Sequence, residues 1–156
     1  MSYQEISDLS TLLAESHAST EKLLETIDLE LQIYGDPVWR ARDVLWHIAV
    51  WDRQVSQAIE AFEFGGQYSI PDFEEEAFNA AAIKEGQELS PGQILKGSNQ
   101  ARQQFQRVVE QFPADSLDAE LLYPWGDERG DIAKLVRYMV EHDEEHRQEI
   151  RTAANQ

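Results

Sequence analysis

The run RDVLWHIAVWD, Arg42 to Asp52, decides the reading of this chain. Val44, Ile48, Trp51 and Val55 recur at steps of three and four, the spacing of one helix face, and His47 falls at the edge of that stripe. A second run, YMVEHDEEHRQEI from Tyr138 to Ile150, carries two more histidines. The apolar face of its helix reads Ile132, Leu135, Val136, Met139, His142, His146, Ile150, so both histidines stand where apolar residues belong and should point inward. Residues four apart lie one turn above each other with Cβ atoms about 6 Å apart, so His142 and His146 reach a single ion. His47 from another helix would complete a face of three imidazoles, the number that catalytic zinc takes while keeping one position open.

Depth along the helices sets a condition. His47 lies about eight residues into its helix and His146 about seven to nine from the end of its own, so the levels coincide if the two helices are antiparallel. If they were parallel, the mismatch would be roughly 6 to 12 Å, too far for one ion. Two histidines four apart also occur as ordinary half-buried side chains, so spacing alone leaves a purely structural reading open.

Outward from these runs the chain reads as helix. The first pattern spans Ser7 to Tyr34, with Leu9, Leu12, Leu13, Leu23, Leu24, Ile27 and Leu31 in the stripe, and Gly35 and Pro37 ending it. The second spans Trp39 to Phe64 and closes at Gly65-Gly66. A short helix is expected over Phe73 to Lys84. Ser90-Pro91 is a start signal, a hydroxyl cap followed by proline in the first turn, for a third long helix to Phe112. Asp131 caps the last one, which reaches Ala153, after a loop containing Tyr123-Pro124-Trp125-Gly126.

Four long amphipathic helices, and little that reads as strand, predict an all-α four-helix bundle in a single domain, residues 1–156. The link between the second and third long helices is about 25 residues, long enough for a crossover, whereas antiparallel neighbours usually need only 2 to 8. Those two helices are therefore expected to run parallel.

Composition narrows the function. The chain has 156 residues and no cysteine, which excludes disulfides, thiolate ligands and a cysteine nucleophile. Thirteen basic against 30 acidic residues give a net charge of −17, which opposes binding to nucleic acid or anionic membranes. Neither a membrane span nor a signal peptide is legible, so a cytoplasmic location is expected. His17 falls at the margin of the first stripe and is expected to be exposed or paired with a carboxylate.

At these residues the sequence resembles the DinB-like superfamily. The family's first motif stands here as Trp39, Asp43, Val44, Leu45, His47, Ile48, Trp51 and Asp52, and its closing motif as His142, His146, Gln148 and Ile150. Phe78-Asn79 and Pro124-Trp125-Gly126 add to the likeness. Many relatives follow the last histidine with Arg-Gly-Gln, where this chain has Arg147-Gln148-Glu149. The resemblance implies an up-down-down-up bundle holding a divalent metal, zinc or nickel, on His47, His142 and His146. Asp43 and Glu149 are candidates to hold an imidazole N–H, and Trp39, Trp51 and Trp125 to wall a substrate pocket.

Two classes of function follow. One is an enzyme on a small electrophilic molecule, either a transferase using a low-molecular-weight thiol or a self-protecting hydrolase. In both, the metal lowers the pKa of a thiol or water. Such thiols are anionic, so Arg40, Arg42 or Arg53 would have to offset the chain's charge near His47. The other class is a metal-binding or stress-related bundle without turnover, its site closed by Asp43, Asp143 or Glu145. Asp143 and Glu145 are expected to lie off the inward face. A homodimer is compatible with the sequence.

Overall fold

A computed structural model describes residues 2–156. It is mostly helical: α1 (Ser2–Leu24), α2 (Ala41–Glu63), α3 (Glu75–Gln87), α4 (Pro91–Glu110) and α5 (Ile132–Ala154). Two small antiparallel hairpins interrupt the helices, β1 (Gln32–Gly35) with β2 (Val38–Arg40), and β3 (Leu121–Leu122) with β4 (Arg129–Gly130).

The caps explain most boundaries. Ser90 Oγ accepts from Gln93 N at 3.1 Å while the Gln93 side chain accepts from Ser90 N at 2.8 Å, a reciprocal capping box ahead of Pro91. Asp131 accepts from Lys134 N at 2.8 Å to start α5. Arg40 N donates to Asp43 Oδ2 at 2.8 Å, so Asp43 serves the start of α2.

The first helix is shorter than its apolar pattern predicts, ending at Leu24 instead of Tyr34. Local polar groups compete with the helix there: Thr26 Oγ1 donates to Leu23 O at 2.8 Å, and Asp28 Oδ1 accepts from Glu30 N at 2.9 Å. Leu31 and Tyr34 therefore leave the helix, and Trp39 belongs to β2, not to α2. Ile27, Ile33, Tyr34 and Trp39 still bury apolar surface, against Val44, Ile48 and Ile150.

Side-chain pairs fix the relative directions of the long helices. Val44 packs with Ile150, His47 meets His142, and Trp51 and Met139 line one cavity, so α2 and α5 are antiparallel. Ser16 bonds Asp143 and Thr20 bonds Arg147, so α1 and α5 run in the same sense. Ser10 meets Glu110 and His17 meets Asn99, so α1 opposes α4.

At the centre lies a charge that the apolar patterns hide. Arg102 of α4 is 1% exposed and uses all five of its N–H donors. Nε and one Nη bond Asp52 of α2 at 2.9 and 3.0 Å, two more reach Asp143 of α5 at 2.8 and 3.0 Å, and another reaches Leu13 O of α1 at 3.2 Å. One guanidinium thus ties the four long helices together. Asp143 was expected off the inward face; it is 1% exposed, turned into the core toward Arg102. Burial outweighs the Arg102 charge at Asp52 and pushes its carboxyl up to about 6.

Candidate metal centre

The antiparallel pairing of α2 and α5 brings the three histidines together. His47 Nε2 lies 3.0 Å from His142 Nε2, and His146 Nε2 lies 3.1 Å from the same atom. One nitrogen from each of the three rings lies within 4.8 Å of the other two. His47 and His146 are buried and His142 is half-buried.

A ring nitrogen carries either one proton or one in-plane lone pair. His142 Nε2 therefore cannot make good hydrogen bonds to both neighbours, and the cluster is not satisfied as a set of hydrogen bonds. The Nδ1 atoms of His47 and His142 are buried without a hydrogen-bond partner among the described residues. Four ligands on an ion at 2.0 to 2.1 Å stand about 3.3 Å apart, close to the spacings found. The donor set fits a divalent ion on three Nε2 lone pairs.

The electrostatics keep the rings neutral, the form that ligates. Burial pushes His47 down to about 2, helped by charge repulsion from His142 and His146, and pushes His142 down to about 4. Burial also lowers His146, against the pull of Glu149.

Glu149 and Tyr34 hold His146 from behind. Glu149 Oε1 lies 2.8 Å from His146 Nδ1, and the Tyr34 hydroxyl donates to Glu149 Oε2 at 2.5 Å, itself 3.3 Å from His146 Nδ1. This leaves His146 Nε2 as the lone-pair nitrogen when Nδ1 donates to the carboxylate. Asp43 makes no such contact, being engaged in the cap of α2.

On the open side is a cavity of about 340 Å³ lined by His47, Trp51, Phe73, Glu75, Trp125, Tyr138, Met139 and His142. Trp51 and Trp125 wall it, their ring centroids 6.3 Å apart. Trp39 does not; it lies tilted against His47, centroids 5.1 Å apart, and meets Tyr34 at 5.4 Å. The Trp51 indole N–H donates to Asn79 at 3.0 Å and that of Trp125 to Glu128 at 3.0 Å, which locks both rings. Sequence reading missed Tyr34, Phe73, Glu75 and Tyr138, which come from β1, the loop before α3, α3 itself and the flank of α5, where no periodicity marks them.

The arginines are committed elsewhere. Arg40 and Arg42 pair with Glu30 at 3.5 and 3.1 Å, and Arg53 stacks 5.0 Å from the Trp46 ring. His17 is remote from the cluster, bonded to Asn99 at 2.7 Å and 3.5 Å from Glu21.

Residues 12–150 match the profile of the DinB superfamily. The chain belongs to that superfamily. This DinB superfamily member shares its fold with the mycothiol-dependent maleylpyruvate isomerase, at a TM-score of 0.75 and 12% identity over 96% of the chain; a histidine-to-alanine variant of that enzyme gives 0.76. The chain spans 63% of the isomerase's length. Similar folds occur in a protein from Streptococcus pneumoniae (TM-score 0.70, 15% identity, 94% of this chain and 88% of that one) and an uncharacterized protein from Clostridium difficile 630 (0.71, 15%, 94% of each). Among curated proteins, none matches the chain. No helix among the described residues is long and apolar enough to cross a membrane.

Proposed function

We propose that this chain is a metal-dependent enzyme, a single up-down-down-up four-helix bundle in which His47, His142 and His146 hold one zinc or nickel ion beside a pocket for a small electrophilic molecule. The observation that carries the reading is the convergence of three neutral imidazoles, two buried and one half-buried, at 3.0 and 3.1 Å, two of them lining a cavity. Bound there, a divalent ion supplies Lewis acidity that lowers the pKa of a thiol or water, giving a nucleophile at neutral pH.

The chain's own residues do the rest. Glu149 and Tyr34 fix the ring of His146, Trp39 backs His47, and Trp51, Phe73, Trp125 and Met139 present apolar walls that exclude water from the electrophile. A closed, purely structural site would need a fourth protein ligand. Asp43 caps α2, Asp143 binds Arg102, and Glu145 is exposed and outside the histidine cluster, so none of the three is placed to close it. Dependence of the isomerase with the same fold on mycothiol supports a thiol as nucleophile, and the absence of cysteine means the thiol comes from solution.

Cobalt substitution tests the open position. Adding bacillithiol, mycothiol or glutathione to the cobalt-loaded protein should produce a sulfur-to-metal charge-transfer band. A spectrum unchanged by all three at saturation overturns the thiol transferase and favours the hydrolase.

A further inference from the structure

The pocket that His47 and His142 line also has the chemistry of a cation site. Four aromatic rings line the cavity: Trp51, Phe73, Trp125 and Tyr138. They touch one another in sequence, Phe73 to Trp51 at 5.7 Å, Trp51 to Trp125 at 6.3 Å, and Trp125 to Tyr138 at 6.1 Å between centroids. With them stands a single carboxylate, Glu75, in the first turn of α3. Among the described residues, no arginine or lysine lines the cavity. Lys134 approaches the Tyr138 ring at 5.4 Å but is paired with Glu128 at 3.2 Å. The three arginines nearest His47 in sequence are bonded elsewhere, as described above.

Aromatic faces are negative at the centre of the ring, so several of them around one space favour an organic cation, above all a quaternary ammonium that no hydrogen bond can satisfy. A carboxylate at the rim adds attraction, and the net charge of −17 steers cations toward the chain and anions away. An anionic molecule would meet Glu75 with no basic group to offset it.

We infer that the substrate of this site is an organic cation, its alkylammonium group seated among Trp51, Phe73 and Trp125 beside Glu75 and its reactive end directed to His47 and His142. This substrate class rests on the enzymatic reading above. Phe73 and Glu75 of the crossover and Trp125 of the loop before α5 complete this seat, whose remaining ring, Trp51, shares α2 with His47.

Three probes of one shape and different charge test the inference: choline, its uncharged isostere 3,3-dimethylbutan-1-ol, and 3,3-dimethylbutanoate. Binding is followed by ligand-observed NMR and by tryptophan fluorescence, with zinc-loaded and with chelator-treated protein. The expected result is choline binding roughly tenfold tighter than the alcohol, with the carboxylate weakest. Glu75→Gln, an exposed position, should remove most of that margin and leave the alcohol unchanged. Equal binding of choline and the alcohol, tighter binding of the carboxylate, or no binding of any probe overturns the cation assignment. If the charge preference persists while His47, His142 and His146 prove to bind no metal, the metal reading alone fails.

Discussion

Glu149 sits seven residues beyond His142 and reaches His146 Nδ1 at 2.8 Å, with the Tyr34 hydroxyl closing on its other oxygen. Removing either partner frees the His146 ring, and loss of such a support typically weakens metal affinity about 10- to 100-fold. Glu149→Gln and Tyr34→Phe should therefore weaken zinc binding in that range in a chelator competition, without changing helical circular dichroism; unchanged affinity in both contradicts the positioning role. The histidines also impose a pH dependence on the metal-stripped protein. An unfolded imidazole titrates near 6.5, whereas folding holds His47 near about 2 and His142 near about 4. Below pH 6.5 the unfolded chain takes up protons that the folded chain refuses, so this stability is complete above pH 6.5 and is lost as pH falls, the His142 part by about 4 and the His47 part by about 2. Asp52, pushed up by burial, acts in the opposite sense, so the effect is read as a difference between the native chain and His47→Gln. The native urea midpoint should fall more steeply between about pH 7 and about pH 5 than that of the variant. Parallel profiles would contradict burial of a neutral His47.

Arg102 joins α1, α2, α4 and α5, and its two carboxylates have no other cation bonded to them. Arg102→Met leaves Asp52 and Asp143 buried together, and breaking a buried pair in this way costs about 3 to 5 kcal/mol. The urea midpoint should drop accordingly; a loss below about 1 kcal/mol contradicts the tie between helices. The contact of α2 with α3 and α4 is equally close, since a Cβ on Gly86 would lie 2.8 Å from Trp46 Cγ and one on Gly97 2.8 Å from Trp46 Cζ3. Gly86→Ala should destabilise by about 1 to 3 kcal/mol despite alanine's better helix propensity, because the buried Trp46 ring has nowhere to move. Elements set by local chemistry were legible in the sequence. Ser90, Pro91 and Asp131 start their helices as their side chains dictate, and the histidines of α5 lie on the stripe that predicted them. The β1–β2 hairpin was not legible, because Ile27 and Leu31 continue the helical spacing while Thr26 and Asp28 end the helix through side-chain bonds. Nor was Arg102, whose partners lie 50 and 41 residues away and which reads as a surface residue in any window of α4.

Over the whole molecule, 30 acidic side chains outnumber 13 basic ones, and the net charge of −17 makes the folded state repel itself. Moving from roughly 10 mM to roughly 150 mM salt shortens the Debye length from about 30 Å to about 8 Å, so the melting temperature should rise with salt; a fall would place the surface ion pairs above the net repulsion. The fold brings three imidazoles together from two antiparallel helices, His47 and His142 lining the pocket and His146 beside them. That convergence is the centre of the account. It is tested most directly by titrating the metal-stripped protein with cobalt and following visible absorption. The account predicts saturation at one ion per chain, severe weakening in each of His47→Ala, His142→Ala and His146→Ala, and retained helical circular dichroism in all three. A variant lacking all three histidines that still binds one cobalt with the native affinity and spectrum would contradict it.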